Sequence, residues 1–265
     1  MRVCCLASGS SGNCTYVETE KAKILIDCGI SVSALEKRLA EINVNPALID
    51  AVLVTHEHID HVKSVAQLRR KYKNILPYVY YKNSSEVRIK TKLKIEEIYI
   101  IGQRKIGLKD AKITILELSH DSQFCVGYMI EDENACMAII TDTGYIPSEA
   151  LNELDHCNLI VIEANHNVKM LENNPNYPIE TKRRILSRVG HLSNKQCAEY
   201  MYTLILKGCR QFVLAHLSEN NNTPKLAYCD VAEYLLGKDL IEGKHYFIDL
   251  AWQNKKGTLY SLKKQ

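Results

Sequence analysis

The stretch Thr55-His56-Glu57-His58-Ile59-Asp60-His61 carries four side chains that can bind a metal ion within six residues. It follows a predicted buried strand at residues 49–55 and precedes a helix predicted from the apolar spacing of residues 60–71. In an extended turn His56 and His58 point the same way and can share one metal, whereas Asp60 and His61 face a second metal after the chain bends. Three clustered imidazoles would repel one another when protonated, so we interpret the stretch as a metal centre rather than a solvated loop.

Further candidates stand where other apolar runs end. His120, Asp142 and His216 each follow a predicted strand, and Asp27 ends the run Ile24-Leu25-Ile26. A single histidine at a strand end is more often structural than a metal ligand. Three such positions beside the histidine cluster favour the ligand interpretation.

The surrounding pattern predicts many strands in the first half, opening as a β-meander, and helices between strands in the second. Two β-rich halves that carry outer helices on one shared core fit this order better than a doubly wound parallel sheet. No stretch resembles a linker, so we expect residues 1–265 to form a single domain. The strands that this pattern predicts lie at 3–6, 15–18, 23–27, 49–55, 78–81, 98–101, 112–119, 125–130, 135–141, 159–163, 211–215 and 246–250. The predicted helices lie at 60–71, 148–154, 180–189, 194–206 and 224–236, and another, capped by Ser31 or Ser33, reaches about Ala40.

Composition is that of an ordinary globular protein. The 265 residues are 46% hydrophobic and 25% charged, which excludes disordered and collagen-like classes. Ser8 to Gly12 interrupt the first apolar run, so we expect no secretory signal, and no run is long enough to span a membrane. The 10 cysteines contain no CxxC pair, which favours buried, reduced thiols and a cytoplasmic location.

Charge is unevenly distributed along the chain. Residues 69–112 hold 13 Lys and Arg against four acids, a net +9, whereas residues 113–181 hold 12 acids against one lysine, a net −11. These segments could be solvated faces that differ in sign, or the first could be a basic surface that binds a polyanion.

Several motifs resemble those of the metallo-β-lactamase fold superfamily. They are HxHxDH, Ser119-His120, Thr141-Asp142-Thr143-Gly144 and Ala215-His216-Leu217-Ser218, in this order. Leu6-Ala-Ser-Gly-Ser-Ser-Gly-Asn-Cys14, Gly190-His-Leu-Ser-Asn194 and His216-Leu-Ser-Glu-Asn-Asn-Asn222 resemble the bacterial WalJ/YycJ family of proposed DNA exonucleases. The resemblance implies an α+β fold, the metallo-β-lactamase αβ/βα four-layer sandwich, with a dinuclear metal site between two sheets.

Carried over by position, the resemblance assigns His56, His58 and His120 to one metal and Asp60, His61 and His216 to the other, bridged by Asp142. Asp27 would orient these ligands or a metal-bound water. The two divalent ions would be Zn²⁺ or Mn²⁺. The superfamily pattern HxHxDHxxG ends here at Ser64 instead of glycine.

Glu163-Ala164-Asn165 and His191-Leu192-Ser193 resemble a series found in tRNase Z-type phosphodiesterases. By this resemblance Glu163 would fix His191 as a general acid. The hypothesised mechanism is the attack of a metal-bridging hydroxide on phosphorus, with Asp60, His191 and Glu163 as the catalytic residues. Alternatively, His191 could have no catalytic role and serve as the cap of the helix that follows.

Substrate contacts are predicted from two further segments. The Ser8 to Asn13 loop could present Ser10, Ser11 and Asn13 to a phosphate, or it could be a tight hairpin turn. His166, Arg183 and Arg184 lie where this superfamily shapes its substrate sites, and one arginine could bind a 5′-phosphate.

The leading hypothesis is therefore a dinuclear-metal phosphodiesterase that acts on DNA, as a 5′-to-3′ exonuclease. The alternatives are a small-molecule phosphodiesterase or thioester hydrolase, an RNA-processing nuclease, and a regulatory or binding module. Only 48 residues separate Asp142 from His191, too few for the inserted clamp domain of some RNA-processing relatives. The oligomeric state stays open.

Overall fold

The computed structural model describes residues 1–263, so the last two residues of the predicted domain lie outside it. Within residues 1–263, fourteen strands form two seven-stranded sheets. The strands are β1 (Arg2–Ala7), β2 (Cys14–Glu18), β3 (Lys23–Ile26), β4 (Ala51–Val54), β5 (Leu76–Tyr80), β6 (Tyr99–Ile101), β7 (Lys105–Leu108), β8 (Ala111–Leu118), β9 (Cys125–Glu131), β10 (Cys136–Ile140), β11 (Leu159–Glu163), β12 (Gln211–Ala215), β13 (Phe247–Leu250) and β14 (Leu259–Ser261).

Nine α-helices and three short 3₁₀ turns connect these strands within the described residues. The helices are α1 (Val32–Ala40), α2 (Ile59–Val62), α3 (Val65–Lys71), α4 (Ser84–Thr91), α5 (Ser148–Asn152), α6 (Val168–Glu172), α7 (Ile179–Leu186), α8 (Asn194–Leu206) and α9 (Pro224–Leu236), and the 3₁₀ turns are Pro46–Leu48, Tyr81–Asn83 and Ile95–Glu97.

Both sheets combine antiparallel and parallel pairs. The first has the order β14-β1-β2-β3-β4-β5-β6 and the second β13-β12-β11-β10-β9-β8-β7. In the first sheet, the predicted meander β1-β2-β3 is antiparallel and β3 to β6 are parallel. In the second, β7 to β10 are antiparallel and β10 to β13 are parallel.

Three apolar cores show that the molecule has four layers. One core lies between the sheets and includes Val3, Ile26 and Tyr128. A second joins the outer face of the first sheet to α1, α3 and α4, and a third joins the second sheet to α5, α8 and α9. Side chains alternate faces along a strand, so β1 sends Val3 inward and Cys4 toward the helices. The predicted αβ/βα order of layers is confirmed.

The predicted helix over residues 60–71 is wrong in one respect, because it is divided into α2 and α3. Ser64 adopts φ −114° and ψ 2° between them, and its N–H donates to the carbonyl oxygen of Cys28 at 2.9 Å. The N–H of Cys28 donates in turn to the carbonyl oxygen of His61 at 2.8 Å. These long-range hydrogen bonds replace helical ones, and the negative φ explains why serine can stand where the motif usually has glycine.

Candidate active site

The predicted site residues gather at one edge of the two facing sheets. In the second sheet β8, β10, β11 and β12 run in the same direction, so their carboxyl ends meet at this edge. His120, Asp142, Glu163 and His216 stand at or just beyond these ends. In the first sheet, β3 and β4 end beside each other and present Asp27 and Thr55. This arrangement follows the rule that sites in such sheets form beyond the carboxyl ends of parallel strands.

All seven predicted metal ligands come together at this edge, and together they are called the cluster below. They are His56, His58, Asp60, His61, His120, Asp142 and His216. The candidate ligand atoms of His56, His58 and His120 lie within 4.8 Å of one another, and so do those of Asp60, His61 and His216.

Asp142 stands between the two groups. One carboxylate oxygen lies 3.2 Å from Nε2 of His61, and the other lies 3.7 Å from Nε2 of His120. The structure thus forms two adjacent groups of donors with a carboxylate between them.

Four histidines are held through Nδ1, which leaves Nε2 directed at the cluster. Nδ1 lies 3.0 Å from the Thr55 hydroxyl in His56, 2.8 Å from Asp27 in His61, 3.2 Å from the Gly190 carbonyl oxygen in His120 and 2.7 Å from Glu163 in His216. The carboxylates and the Gly190 carbonyl oxygen accept, and the Thr55 hydroxyl donates to Asp27, so in the neutral rings these contacts favour a proton on Nδ1 and a lone pair on Nε2.

Within residues 1–263, several buried atoms that face the cluster make no hydrogen bond. Nε2 of His56, His120 and His216 and one oxygen of Asp142 are buried without a hydrogen bond. Unpaired buried polar atoms are costly, and several that converge on one point fit metal ions better than packing.

Asp27 and Thr55 orient the histidine rings that the first sheet brings to the site. Asp27 accepts hydrogen bonds from the Thr55 N–H and hydroxyl, both at 2.9 Å, and from Nδ1 of His61 at 2.8 Å. Asp27 is fully buried and has a φ of +61°, in the left-handed region that aspartate tolerates better than most residues. Asp142 and His216 share this conformation, so three cluster residues sit in strained turns.

In the second sheet, Glu163 orients two histidine rings in the same way. One carboxylate oxygen accepts hydrogen bonds from Nδ1 of His191 at 2.8 Å and Nδ1 of His216 at 2.7 Å. The other accepts the backbone N–H groups of Thr143 and Leu192, both at 3.1 Å. The alternative in which His191 only caps α8 does not describe its side chain, because Ser193 caps that helix.

Electrostatics at Glu163 favour an ionised carboxylate beside a protonatable imidazole. Burial works to raise the pKa of Glu163, but His191 and His216 lower it to about 2. Burial also works to lower the pKa of His191, yet Glu163 raises it above the usual imidazole value.

At the other histidines the balance varies. Burial lowers the pKa of His56 and of His120, which favours neutral rings. Burial acts the same way on His61 and His216, but neighbouring carboxylates, chiefly Asp27 for His61 and Asp142 for both, raise the pKa of these two.

The predicted phosphate-binding loop lies beside the cluster, but its three candidate residues do not all face the cleft. Ser10 lines the cleft, whereas Ser11 is exposed and its N–H donates to Gln253 at 3.0 Å. Asn13 is buried, and its amide donates to Gly9 at 3.1 Å and to Asp60 at 3.2 Å. Asn13 therefore closes the turn and holds Asp60 in this structure.

Of the other predicted substrate-binding residues, one lines the cleft and two do not. Arg184 lines the cleft and pairs with Asp121, whereas Arg183 is exposed and does not line it. His166 is fully buried and lines a different cavity, with Asn167 and Asn194. Burial lowers the pKa of His166 to about 4.

Sequence analysis missed several residues that shape the site. Thr55 connects Asp27 to His56, and Ser8 accepts the backbone N–H of His216 at 2.8 Å. Asp121 lies 3.1 Å from Nε2 of His120. Thr55 and Asp121 each adjoin a predicted ligand in the sequence, which is the only signal that could have found them.

Among residues 1–263, the structure shows no helix long and apolar enough to cross a membrane.

Comparison with known proteins agrees with this geometry. Residues 22–217 match the family model described as a β-lactamase superfamily domain. The chain is 36% identical over 240 residues to exodeoxyribonuclease WalJ of Streptococcus pneumoniae, covering 89% of this chain and 88% of that protein. It is 37% identical over 250 residues to exodeoxyribonuclease YycJ of Bacillus anthracis, covering 92% of each.

Among solved structures, the metallo-β-lactamase fold protein YhfI of Bacillus subtilis superposes with a TM-score of 0.72 at 15% identity, covering 98% of each chain. This likeness confirms the fold that the motifs predicted. The chain therefore belongs to the β-lactamase superfamily and, within it, to the family that contains the exodeoxyribonucleases WalJ and YycJ.

Proposed function

We propose that this protein is a metal-dependent exonuclease that hydrolyses phosphodiester bonds of DNA from the 5′ end. The observation that carries the proposal is the Glu163 carboxylate, which holds His191 beside a cluster of unpaired metal-binding atoms in an open cleft. The names of the WalJ and YycJ relatives support DNA as the substrate.

The donor set fits two divalent ions. His56, His58 and His120 would hold one, Asp60, His61 and His216 the other, and Asp142 would contact both. The imidazole majority suits Zn²⁺, and the carboxylates also suit Mn²⁺. When bound, such ions act as Lewis acids that activate water and neutralise charge on a phosphate.

The chain's own residues would supply orientation and a proton. Asp27 and Glu163 fix the rings of His61 and His216 through Nδ1, so neither ring can turn away from the cluster. Glu163 likewise fixes Nδ1 of His191, which leaves Nε2 to donate a proton to the departing oxygen of the substrate. The ionised Glu163 stabilises the protonated imidazole before this transfer.

Substrate phosphate would be bound at the rim of the cleft. The cleft has a volume of about 250 Å³, and Ser10 and Arg184 contribute a hydroxyl and a guanidinium to its lining. Arg184 is half exposed and pairs with Asp121, so a phosphate can approach it from solvent. We assign Ser10 and Arg184 as the phosphate contacts.

We also propose a cytoplasmic location. All ten cysteines are free thiols, and eight of them are buried. Disulfides are rare in reducing compartments, where a DNA substrate is also found.

The proposal is tested by incubating purified protein with linear and covalently closed circular DNA in the presence of Mn²⁺, Zn²⁺ or Mg²⁺. An exonuclease degrades the linear form only. His58→Ala should abolish degradation, whereas His156→Ala, which removes an exposed histidine outside the cluster, should not.

Cleavage of the circular form would contradict the exonuclease assignment. Cleavage of RNA or of a small phosphodiester, without degradation of any DNA, would contradict DNA as the substrate.

A further inference from the structure

A second cavity of about 460 Å³ adjoins the candidate active site. Trp252, the only tryptophan of the chain, lines it together with Leu217, Pro224 and Ala251. Ser218 lines both this cavity and the catalytic cleft. The cavity therefore lies next to the cleft, with Ser218 as a shared lining residue.

The segment that carries Trp252 is tied to the active-site loop. The carbonyl oxygen of Trp252 accepts the N–H of Ser8 at 3.0 Å, and the Ser8 hydroxyl accepts the N–H of His216 at 2.8 Å. Gln253 accepts the N–H of Ser11 at 3.0 Å and donates to Gly12 at 3.1 Å. These bonds fix the backbone at Trp252 relative to the cluster.

The cavity combines an aromatic ring with the positive charge of Lys255, and the Glu219 carboxylate also lines it. Nζ of Lys255 lies over the Trp252 ring, 4.1 Å from its centre, and both residues line the cavity, so a base that stacks on this face would displace the ammonium. The indole is half-buried, so it is not part of the apolar cores. An aromatic ring with a nearby cation is the combination with which proteins bind single-stranded nucleic acid, because a base stacks on the ring while the cation attracts phosphate.

We propose that this cavity binds the base of a nucleotide next to the scissile phosphate, with Trp252 as the stacking surface. The inference rests on the proposed function, because it places the phosphate of that nucleotide in the catalytic cleft. Stacking is tolerant of base identity, which suits an enzyme that degrades any sequence. Lys255 would contact the phosphate that leads out of the cavity.

The single tryptophan provides a direct test. A nuclease-resistant phosphorothioate oligothymidylate is titrated into the protein while tryptophan emission is recorded, and its affinity is measured separately from the anisotropy of an end label. We expect the oligonucleotide to quench the emission. An abasic oligomer of equal length and charge should cause much less quenching.

Variants test whether binding needs the aromatic ring of Trp252. Trp252→Leu should weaken binding of the oligothymidylate by about 10-fold, whereas Trp252→Phe, which keeps an aromatic face, should restore most of the affinity. Tyr99→Leu removes an exposed aromatic ring at the edge strand β6 and serves as the matched control, with no change expected.

The outcomes distinguish this inference from the proposed function. Equal quenching by the abasic oligomer, no quenching, or unchanged affinity in Trp252→Leu would overturn the base site even if linear DNA is degraded. Base-dependent quenching without degradation of DNA would uphold the base site and overturn the exonuclease proposal.

Discussion

At the scale of single residues, the site is built from pairs in which one residue fixes another. Glu163 holds two imidazoles, and Asp27 holds Thr55 and His61. Both carboxylates are buried, so their hydrogen bonds are not weakened by competition with water. The positions of the metal-facing atoms therefore depend on residues that do not themselves face the cluster.

Asp27→Asn tests this dependence. The asparagine amide has the size of the carboxylate but replaces one acceptor oxygen with an NH₂ donor. The variant side chain therefore cannot accept all three hydrogen bonds that Asp27 accepts. We expect the affinity for the divalent ion to fall by about 10- to 100-fold in a chelator-competition titration. Asp239→Asn is the matched control, since Asp239 is exposed and has a φ of +60°. Equal affinities in both variants would contradict the orienting role of Asp27.

His191→Ala tests the proton donor. Without an acid, the rate of DNA hydrolysis should fall by about 100- to 10,000-fold, while bound metal stays unchanged. Thymidine 5′-(p-nitrophenyl phosphate) has a leaving group that departs without a proton, so its hydrolysis should fall far less. An equal fall for both substrates would show that His191 is not the general acid.

Much of the candidate site could be predicted from residue types and spacing. The HxHxDH stretch and the residues at strand ends come together because parallel strands end at one edge. The inner contacts could not be predicted, because Ser8, Thr55 and Asp121 act through distances that depend on the tertiary fold. The phosphate loop shows the same limit, since the Asn13 amide is engaged with Gly9 and Asp60.

At the scale of elements, the predicted strands and long helices are confirmed, with ends shifted by a few residues. The helices over residues 194–206 and 224–236 match because serine and threonine caps begin them and their apolar faces are buried. Sequence analysis missed α4, α6 and β7, which are short or carry little apolar periodicity. The division of α2 from α3 was also missed, because it depends on hydrogen bonds to Cys28.

Gly29 places the turn after β3 against α2. A Cβ atom at Gly29 would lie 1.6 Å from the carbonyl oxygen of Asp60, so any side chain would displace the cluster. We expect Gly29→Ala to destabilise the protein by about 1–3 kcal/mol, measured by denaturant unfolding, and to weaken metal binding. Gly107→Ala, in β7, is the control, because no atom of the described residues lies within 4 Å of its Cβ position. Unchanged stability in Gly29→Ala would contradict this close packing.

At the scale of the whole molecule, the two oppositely charged segments partly neutralise each other. Lys82 pairs with Glu117 at 2.7 Å and Lys105 with Glu153 at 2.9 Å, both across the segment boundary. Lys109 also pairs with Asp50 at 2.7 Å. The net +9 of residues 69–112 therefore overstates the charge available to a polyanion.

The four-layer architecture brings the substrate-binding candidates from distant parts of the chain to the same edge. Ser10 comes from the first loop, Arg184 from α7 and Trp252 from the segment after β13. Sequence spacing alone could not relate these residues to one another. Their juxtaposition is the observation behind the proposed base site next to the catalytic cleft.

The most direct test of the account is the digestion of 5′-labelled and 3′-labelled DNA, duplex and single-stranded, by the metal-loaded protein, with His58→Ala as the blank. The account predicts immediate release of labelled mononucleotides from the 5′-labelled strand, late release from the 3′-labelled strand, and none with the variant. Early release of label from the 3′-labelled strand would contradict the proposed 5′-to-3′ direction of degradation. No release with Mn²⁺, Zn²⁺ or Mg²⁺, despite two bound ions, would contradict the assignment as a DNA exonuclease.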